Sequence, residues 1–201
     1  MTTLIWSCFG FILGSIPFSV WLGYLVLHKD IRAYGDGNPG AANVLRAGGK
    51  AIGIVAIFLD YAKGAVPVAM AAFVGELSGW KMVPVTLAPV FGHAFSPFLA
   101  FRGGKAIAAS FGVWTGLTLW QGPVLMGLSL GLFYMIQDND GWSVVLGMTT
   151  TLLILMVRHA DSYLLAAMLG NVAIVAWKHR RELGRGMHRR PYLRRRTHVD
   201  G

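Results

Sequence analysis

Apolar residues run along this chain in blocks of 15 to 25, and short polar stretches separate the blocks. The blocks predict helices over 3–27, 52–75, 82–101, 106–120, 122–137, 142–157 and 160–177. The segment 104–137 fits two short helices or one long broken one, so the pattern allows six or seven. A helix needs about 20 mostly apolar residues to cross a bilayer. Blocks of this kind in 201 residues leave almost nothing for a separate soluble domain. The pattern therefore predicts an all-α integral membrane protein, a polytopic bundle of about seven transmembrane helices. Its single membrane domain covers 1–178, with polar loops at 29–50 and 102–105, and a basic tail covers 179–201.

Composition agrees with the pattern: 55% of residues are hydrophobic, 13% are charged, and the mean hydropathy is +0.55. A water-soluble globular domain is not the class these values describe. The first 28 residues lack a basic leading segment and stay apolar for longer than a signal-peptide core, so a retained first helix is expected. Cys8 has no intrachain partner, and neither CxxC nor HExxH occurs, so redox and zinc chemistry are not expected.

Charge settles the orientation that the pattern leaves open. With seven helices, Lys29, Arg32, Arg46, Lys50, Arg102, Lys105 and the nine basic residues from Lys178 to Arg196 fall on one side. Only Lys81 and Arg158 fall on the other, with Lys63 inside a helix. Basic residues stay cytoplasmic, so the expected N-terminus is outside, and the C-terminus and both glycine-rich loops are cytoplasmic. The tail suits anionic lipid headgroups. It offers no aromatic stacking platform for nucleic acid, and the sequence sets no oligomeric state.

Three elements suggest chemistry. The first loop, RAYGDGNPGAANVLRAGGK over 32–50, is too polar to form a core. Its glycines let the backbone approach a ligand while Arg32, Arg46 and Lys50 supply positive charge, which is the make-up of a phosphate cradle. In the second loop, FRGGKAIAAS over 101–110, Gly103, Gly104 and Lys105 are expected to open a helix at the membrane surface. Neither is a nucleotide fingerprint, because those patterns follow a strand. The third element is polarity inside the apolar blocks. Asp60 and Lys63 can pair across one turn, and His93 stands before an expected kink at Pro97. Gly10, Gly14 and Ser15 fit close helix packing.

GSIPF, DIRAYGDGNPGAANVLR, LDYAKG, GHAFSPFLAFRGGKA and KHRRE together, in that order, resemble the bacterial PlsY family of acyl-phosphate:glycerol-3-phosphate acyltransferases. The resemblance implies transfer of a fatty acyl group from acyl phosphate to the 1-hydroxyl of glycerol 3-phosphate, giving lysophosphatidic acid without a cofactor. It implies phosphate binding by Gly35, Gly37, Asn38, Gly40, Arg46, Gly103, Gly104 and Lys105. It also implies catalytic roles for Asn43, His93 and His179, supported by Ser15, Asp36, Asp60 and Lys63. The departures fall in the same places. Asp36 stands for a family serine, Ala42 for a threonine and Glu182 for an asparagine, with Pro39 between the glycines and only Ser143 to match a serine-rich loop. An Asp36 carboxylate beside phosphate would need Arg32 or Arg46 as its partner. A changed phosphorylated acceptor, an inactive homologue and a phosphometabolite transporter all remain open on the residues alone.

Overall fold

The computed structural model describes residues 1–193, so Arg194, Arg195 and Arg196 of the expected tail lie outside the described residues. Ten α-helices follow in order among the described residues: α1 Thr2–Ser15, α2 Phe18–Val26, α3 Ala41–Arg46, α4 Lys50–Phe73, α5 Met82–Ala94, α6 Ile107–Thr118, α7 Gln121–Ile136, α8 Asp140–Val157, α9 Ser162–Lys178 and α10 Arg180–Leu183. Four stretches are long and apolar enough to cross a bilayer: Thr2–Val26, Lys50–Phe73, Gly79–Leu99 and Asp140–Val157. Ile107–Thr118, Gln121–Ile136 and Ser162–Lys178 are shorter apolar helices.

Several expected helices end or break early. The run over 3–27 divides at Ile16 and Pro17, because Pro17 has no N–H to donate and Ile16 before it is extended at φ −61°, ψ 122°. The break leaves the Ile16 carbonyl free of the helix, and Lys63 of α4 donates to it at 2.8 Å. The run over 82–101 stops at Ala94, and Pro97 opens a one-turn 3₁₀ helix instead of kinking a longer one. The two-helix alternative holds for 104–137. Its first member, α6, has 12 residues and at 1.5 Å per residue is only about 18 Å long.

Small residues let the backbones approach. A Cβ on Gly14 of α1 would lie 2.4 Å from the Pro89 carbonyl oxygen of α5, and one on Gly112 of α6 would lie 2.0 Å from the Tyr61 carbonyl oxygen of α4. The main core includes the fully buried Trp114, whose Nε1 donates to Asn171 while Asn171 Nδ2 donates to Ser110, a polar chain that ties α6 to α9. The first loop does form a core after all, a second and smaller one: Ile31, Ala41, Val44 and Ala47 pack with Val20 of α2 and Ala56 of α4. Isoleucine, valine and alanines interspersed among its polar residues supply that cluster.

Candidate active site

The first loop is held in shape by its own polar groups. Asn43 Nδ2 donates to the Asn38 carbonyl at 2.8 Å and to Asp36 Oδ1 at 3.1 Å, while its Oδ1 accepts from Arg46 at 2.8 Å. Gly35 makes the turn possible. Its φ is +58°, and a Cβ there would lie 2.5 Å from Asn43 Oδ1 and 2.6 Å from an Arg46 guanidinium nitrogen. Two of the expected cradle cations point elsewhere: Arg32 pairs with Asp30 at 2.9 Å and donates to Tyr24, and Lys50 is exposed at the start of α4. Arg46 remains.

The second loop works differently. Gly103 and Gly104 do not open a helix, since α6 begins at Ile107 after a left-handed Ala106. They lie flat against His93. The Gly104 N–H donates to the His93 carbonyl at 3.0 Å, and a Cβ on Gly104 would lie 2.2 Å from His93 Nε2. Lys178 fixes this turn by donating to the carbonyls of Ala94 and Gly103 at 2.8 and 2.9 Å. Lys105 is thereby directed back across to the first loop.

There it meets two carboxylates. Lys105 Nζ lies 2.6 Å from Asp36 Oδ2 and 2.8 Å from Glu182 Oε1, so one ammonium bridges the first loop and α10. The partner of Asp36 is therefore chiefly Lys105, with Arg46 at 3.8 Å and Arg32 not involved. Burial would raise both carboxyls, but the Lys105 hydrogen bonds and charge outweigh it and hold them below the ordinary carboxylate range. Burial would likewise lower Lys105, and the two carboxylates raise it above an ordinary lysine.

Beneath the bridge lies a buried polar group built on α4. Asp60 pairs with Lys63 at 2.8 Å, accepts from the Ser19 hydroxyl at 2.7 Å, and lies 3.8 Å from His93 Nδ1. Asp60 is ten residues into α4, about 15 Å from its first residue. His179, buried at the end of α9, places Nδ1 2.8 Å from the Val175 carbonyl; the N–H on that nitrogen leaves Nε2 as the acceptor in the neutral ring. Burial keeps His179 below the ordinary histidine value.

Of the clefts that meet at the bridge, two bear on the chemistry. The inner one, about 490 Å³, has polar walls from Asp36, Arg46, Asp60, His93, Lys105 and His179, and apolar walls from Leu45, Ile57, Tyr61, Ile107, Ala108 and Phe111. The other, about 550 Å³, lies between Gly37–Pro39, the turn at 101–103 and α10, and is basic. Asn38 and Gly40 line the inner cleft, while Gly37 and Gly103 line the basic one. Gly35, Asn43, Lys63 and Gly104 support the walls from behind. Ser15 belongs to packing: its hydroxyl donates to the Phe11 carbonyl and its carbonyl accepts from Ser96. Ser143 is likewise occupied with carbonyls of residues 133, 137 and 139.

Ser19, Lys178 and Asn139 have structural places in the site that sequence reasoning missed. Asn139 Nδ2 donates to the carbonyls of Glu182 and Gly186 at 2.7 and 3.0 Å and so fixes α10. The available signal for Lys178 was its position next to His179; for Ser19, it was a hydroxyl inside an apolar run.

The sequence model described as glycerol-3-phosphate acyltransferase matches residues 4–189. Glycerol-3-phosphate acyltransferase 1 of Thermotoga maritima is 37% identical over 170 residues, covering 78% of this chain and 84% of the relative. Glycerol-3-phosphate acyltransferase 1 of Deinococcus radiodurans is 35% identical over 193 residues, covering 94% and 96%. The crystal structure of PlsY (YgiH), an integral membrane glycerol 3-phosphate acyltransferase, in its glycerol 3-phosphate form, superposes with a TM-score of 0.83 at 29% identity over 96% of this chain and 98% of that one. Its lysophosphatidic acid form gives a TM-score of 0.81 at 28% identity over 94% and 95%. Nearly the whole chain is matched in sequence and in fold, and the matched span includes both loops, the buried aspartate and α10, so this all-α membrane protein belongs to the glycerol-3-phosphate acyltransferase family.

Proposed function

We propose that the chain transfers a fatty acyl group from acyl phosphate to the 1-hydroxyl of glycerol 3-phosphate, releasing inorganic phosphate and lysophosphatidic acid. One observation carries this reading: a single cleft joins an apolar wall suited to an acyl chain to a polar end with Arg46, Lys105, His93 and His179. An acyl donor lays its chain along Leu45, Ile57 and Phe111 and its phosphate near Arg46 and the backbone of residues 38–41. The acceptor oxygen attacks the acyl carbon, the bond from that carbon to the phosphate oxygen breaks, and the acceptor proton leaves with phosphate or passes to His179 Nε2. Acyl phosphate is an activated anhydride, so positioning and charge neutralisation supply most of the rate. Lys105 has to loosen at least one carboxylate to take part.

The proposed topology is seven crossings, with the N-terminus outside and the C-terminus and both loops cytoplasmic in a bacterial inner membrane. The basic asymmetry supports it, and the short helices α6 and α7 form a pair whose turn carries the exposed Leu119 and Trp120. Residues 1–178 then form one membrane domain, and the basic tail from 179 lies against anionic headgroups.

The test is direct. Purified protein given acyl phosphate and glycerol 3-phosphate is expected to form lysophosphatidate with equimolar phosphate release. A folded sample that makes no lysophosphatidate but acylates another phosphorylated acceptor overturns the acceptor assignment.

A further inference from the structure

Two buried polar atoms face each other in the wall of the inner cleft, and neither has a hydrogen-bond partner among the described residues. They are Asp60 Oδ1 on α4 and His93 Nδ1 on α5, 3.8 Å apart. Buried polar groups are nearly always paired, so this double exception asks for a cause. The chain supplies one at Pro17. The break there frees the Ile16 carbonyl, which takes a hydrogen bond from Lys63 at 2.8 Å. Lys63 also lies 2.8 Å from Asp60 Oδ1 and offsets its charge, yet Oδ1 accepts no well-formed hydrogen bond from it. Asp60 Oδ2 is taken by the Ser19 hydroxyl at 2.7 Å. Oδ1 is thus the oxygen of the carboxylate left open, and the group that faces it is the His93 ring.

We infer that Asp60 is a positioning residue that fixes the tautomer of His93. In the neutral ring the proton sits on Nδ1 and is donated to Asp60 Oδ1, so Nε2 carries a lone pair. Closing the gap takes about 1 Å, and the terminal torsion of a histidine ring is soft enough to supply it. Nε2 lies against Gly104, where a Cβ would come within 2.2 Å of it, and beside Lys105 in the cleft wall. A lone pair at that place accepts a hydrogen bond from a hydroxyl of the acceptor. A proton there would make the ring a donor and direct it to phosphate oxygen instead. This rests on the acyl-transfer reading and deepens it: His93 orients the acceptor hydroxyl, and Asp60 acts through His93. The same break that divides α1 from α2 therefore reaches the chemistry, because it draws the Lys63 hydrogen away from Oδ1 and leaves that oxygen to the ring.

The experiment uses the full chain in nanodiscs with isotopically labelled nitrogen in its histidine rings, whose magnetic resonance shows which nitrogen carries the proton. The His93 signals are assigned by their loss in His93→Gln. At neutral pH the wild type is expected to show a protonated Nδ1 and a bare Nε2 at His93. Asp60→Asn alone strands Lys63 as a buried cation, so the test variant is Asp60→Asn/Lys63→Met. Its asparagine presents amide hydrogens to Nδ1, and the proton is expected to move to Nε2. Turnover is expected to fall roughly 10- to 100-fold in kcat, with little change in the donor KM. A wild-type His93 that carries its proton on Nε2 overturns the inference, and that spectrum decides the pairing even where the variant does not fold. So does a folded double variant that loses turnover with its tautomer unchanged, which would make the pair a packing device. A reversed tautomer with undiminished kcat overturns it as well. Wild-type protein with the expected tautomer that forms no lysophosphatidate keeps the Asp60–His93 pairing and overturns the transfer reading alone.

Discussion

The two glycine-rich loops look alike as strings, both basic, both small, both set between apolar blocks, yet they solve different physical problems. The first must fold on itself. Gly35 supplies a positive φ, Asn43 satisfies the turn from within, and the net product is one placed cation, Arg46. The second has almost no structure of its own and is pressed onto α5, where its glycines serve contact with His93 and Lys178 holds the turn. Its product is also one placed cation, Lys105, delivered to the acids of the first loop and α10. Glycine in a loop thus has two meanings, conformation and proximity, and only the structure separates them.

The sharpest way to break this pairing is to remove each cation. Arg46→Ala and Lys105→Ala are each expected to lower turnover by about 10²–10³-fold, on the order of 3–4 kcal/mol of transition-state stabilisation, while the protein still inserts in the membrane. Rates of lysophosphatidate formation check this. Near-normal turnover in both would show that neither loop delivers the charge the chemistry needs.

Next come the glycines themselves. Gly103→Ala would place a Cβ 2.0 Å from the His93 carbonyl oxygen, against backbone that cannot rotate away. A loss of about 3 kcal/mol is expected from this overpacking. Gly48→Ala meets nothing within 4 Å and loses only its φ of +98°, about 1 kcal/mol. Thermal unfolding in detergent should rank Gly103→Ala well below Gly48→Ala. Equal midpoints would deny that the second loop is a contact device.

Asn43→Ala tests the self-supporting character of the first loop. It removes two donated bonds and one accepted bond at a residue 1% exposed, leaving the Asn38 carbonyl and Arg46 short of a partner. About 2 kcal/mol of stability should go, with turnover falling further because Arg46 loses its position. A stability loss with unchanged turnover would mean that Arg46 is placed by something other than Asn43.

Much of the bundle was legible in the sequence because a span needs only length and apolarity, and those are local properties. Where the chain departed from expectation, a long-range fact decided. Pro17 signals a break, but that the freed Ile16 carbonyl would be taken by Lys63 depends on α4 lying alongside. Asp36 stood out at once as a carboxylate among expected phosphate ligands, and the need for a cation to pair with it followed from charge alone. That the cation is Lys105, 69 positions away, and not Arg32, four positions away, could not be read from spacing, because Arg32 is already satisfied by Asp30 and Tyr24. Glu182 reads only as a departure from a motif until α10 folds beside Lys105.

The smallest expected effect isolates the bridge that joins the two loops. Asp36 and Glu182 are held below the ordinary carboxylate range in the folded protein, so their contribution to stability is fully present above about pH 5 and is lost as pH falls through their lowered folded values. Lys105 is raised, so its contribution is present below about pH 10 and is lost only as pH rises past its folded value. The bridge therefore stays closed across neutral pH and opens in acid. Both carboxylates remain partly exposed, so screening limits the total to about 1 kcal/mol or less. The Asp36→Asn/Glu182→Gln variant should unfold at a slightly lower temperature than wild type at pH 7, and the gap should close towards pH 3. A gap that is the same at pH 3 as at pH 7 would show that shape and neutral hydrogen bonds hold the two loops together, and that the charge on the bridge does not.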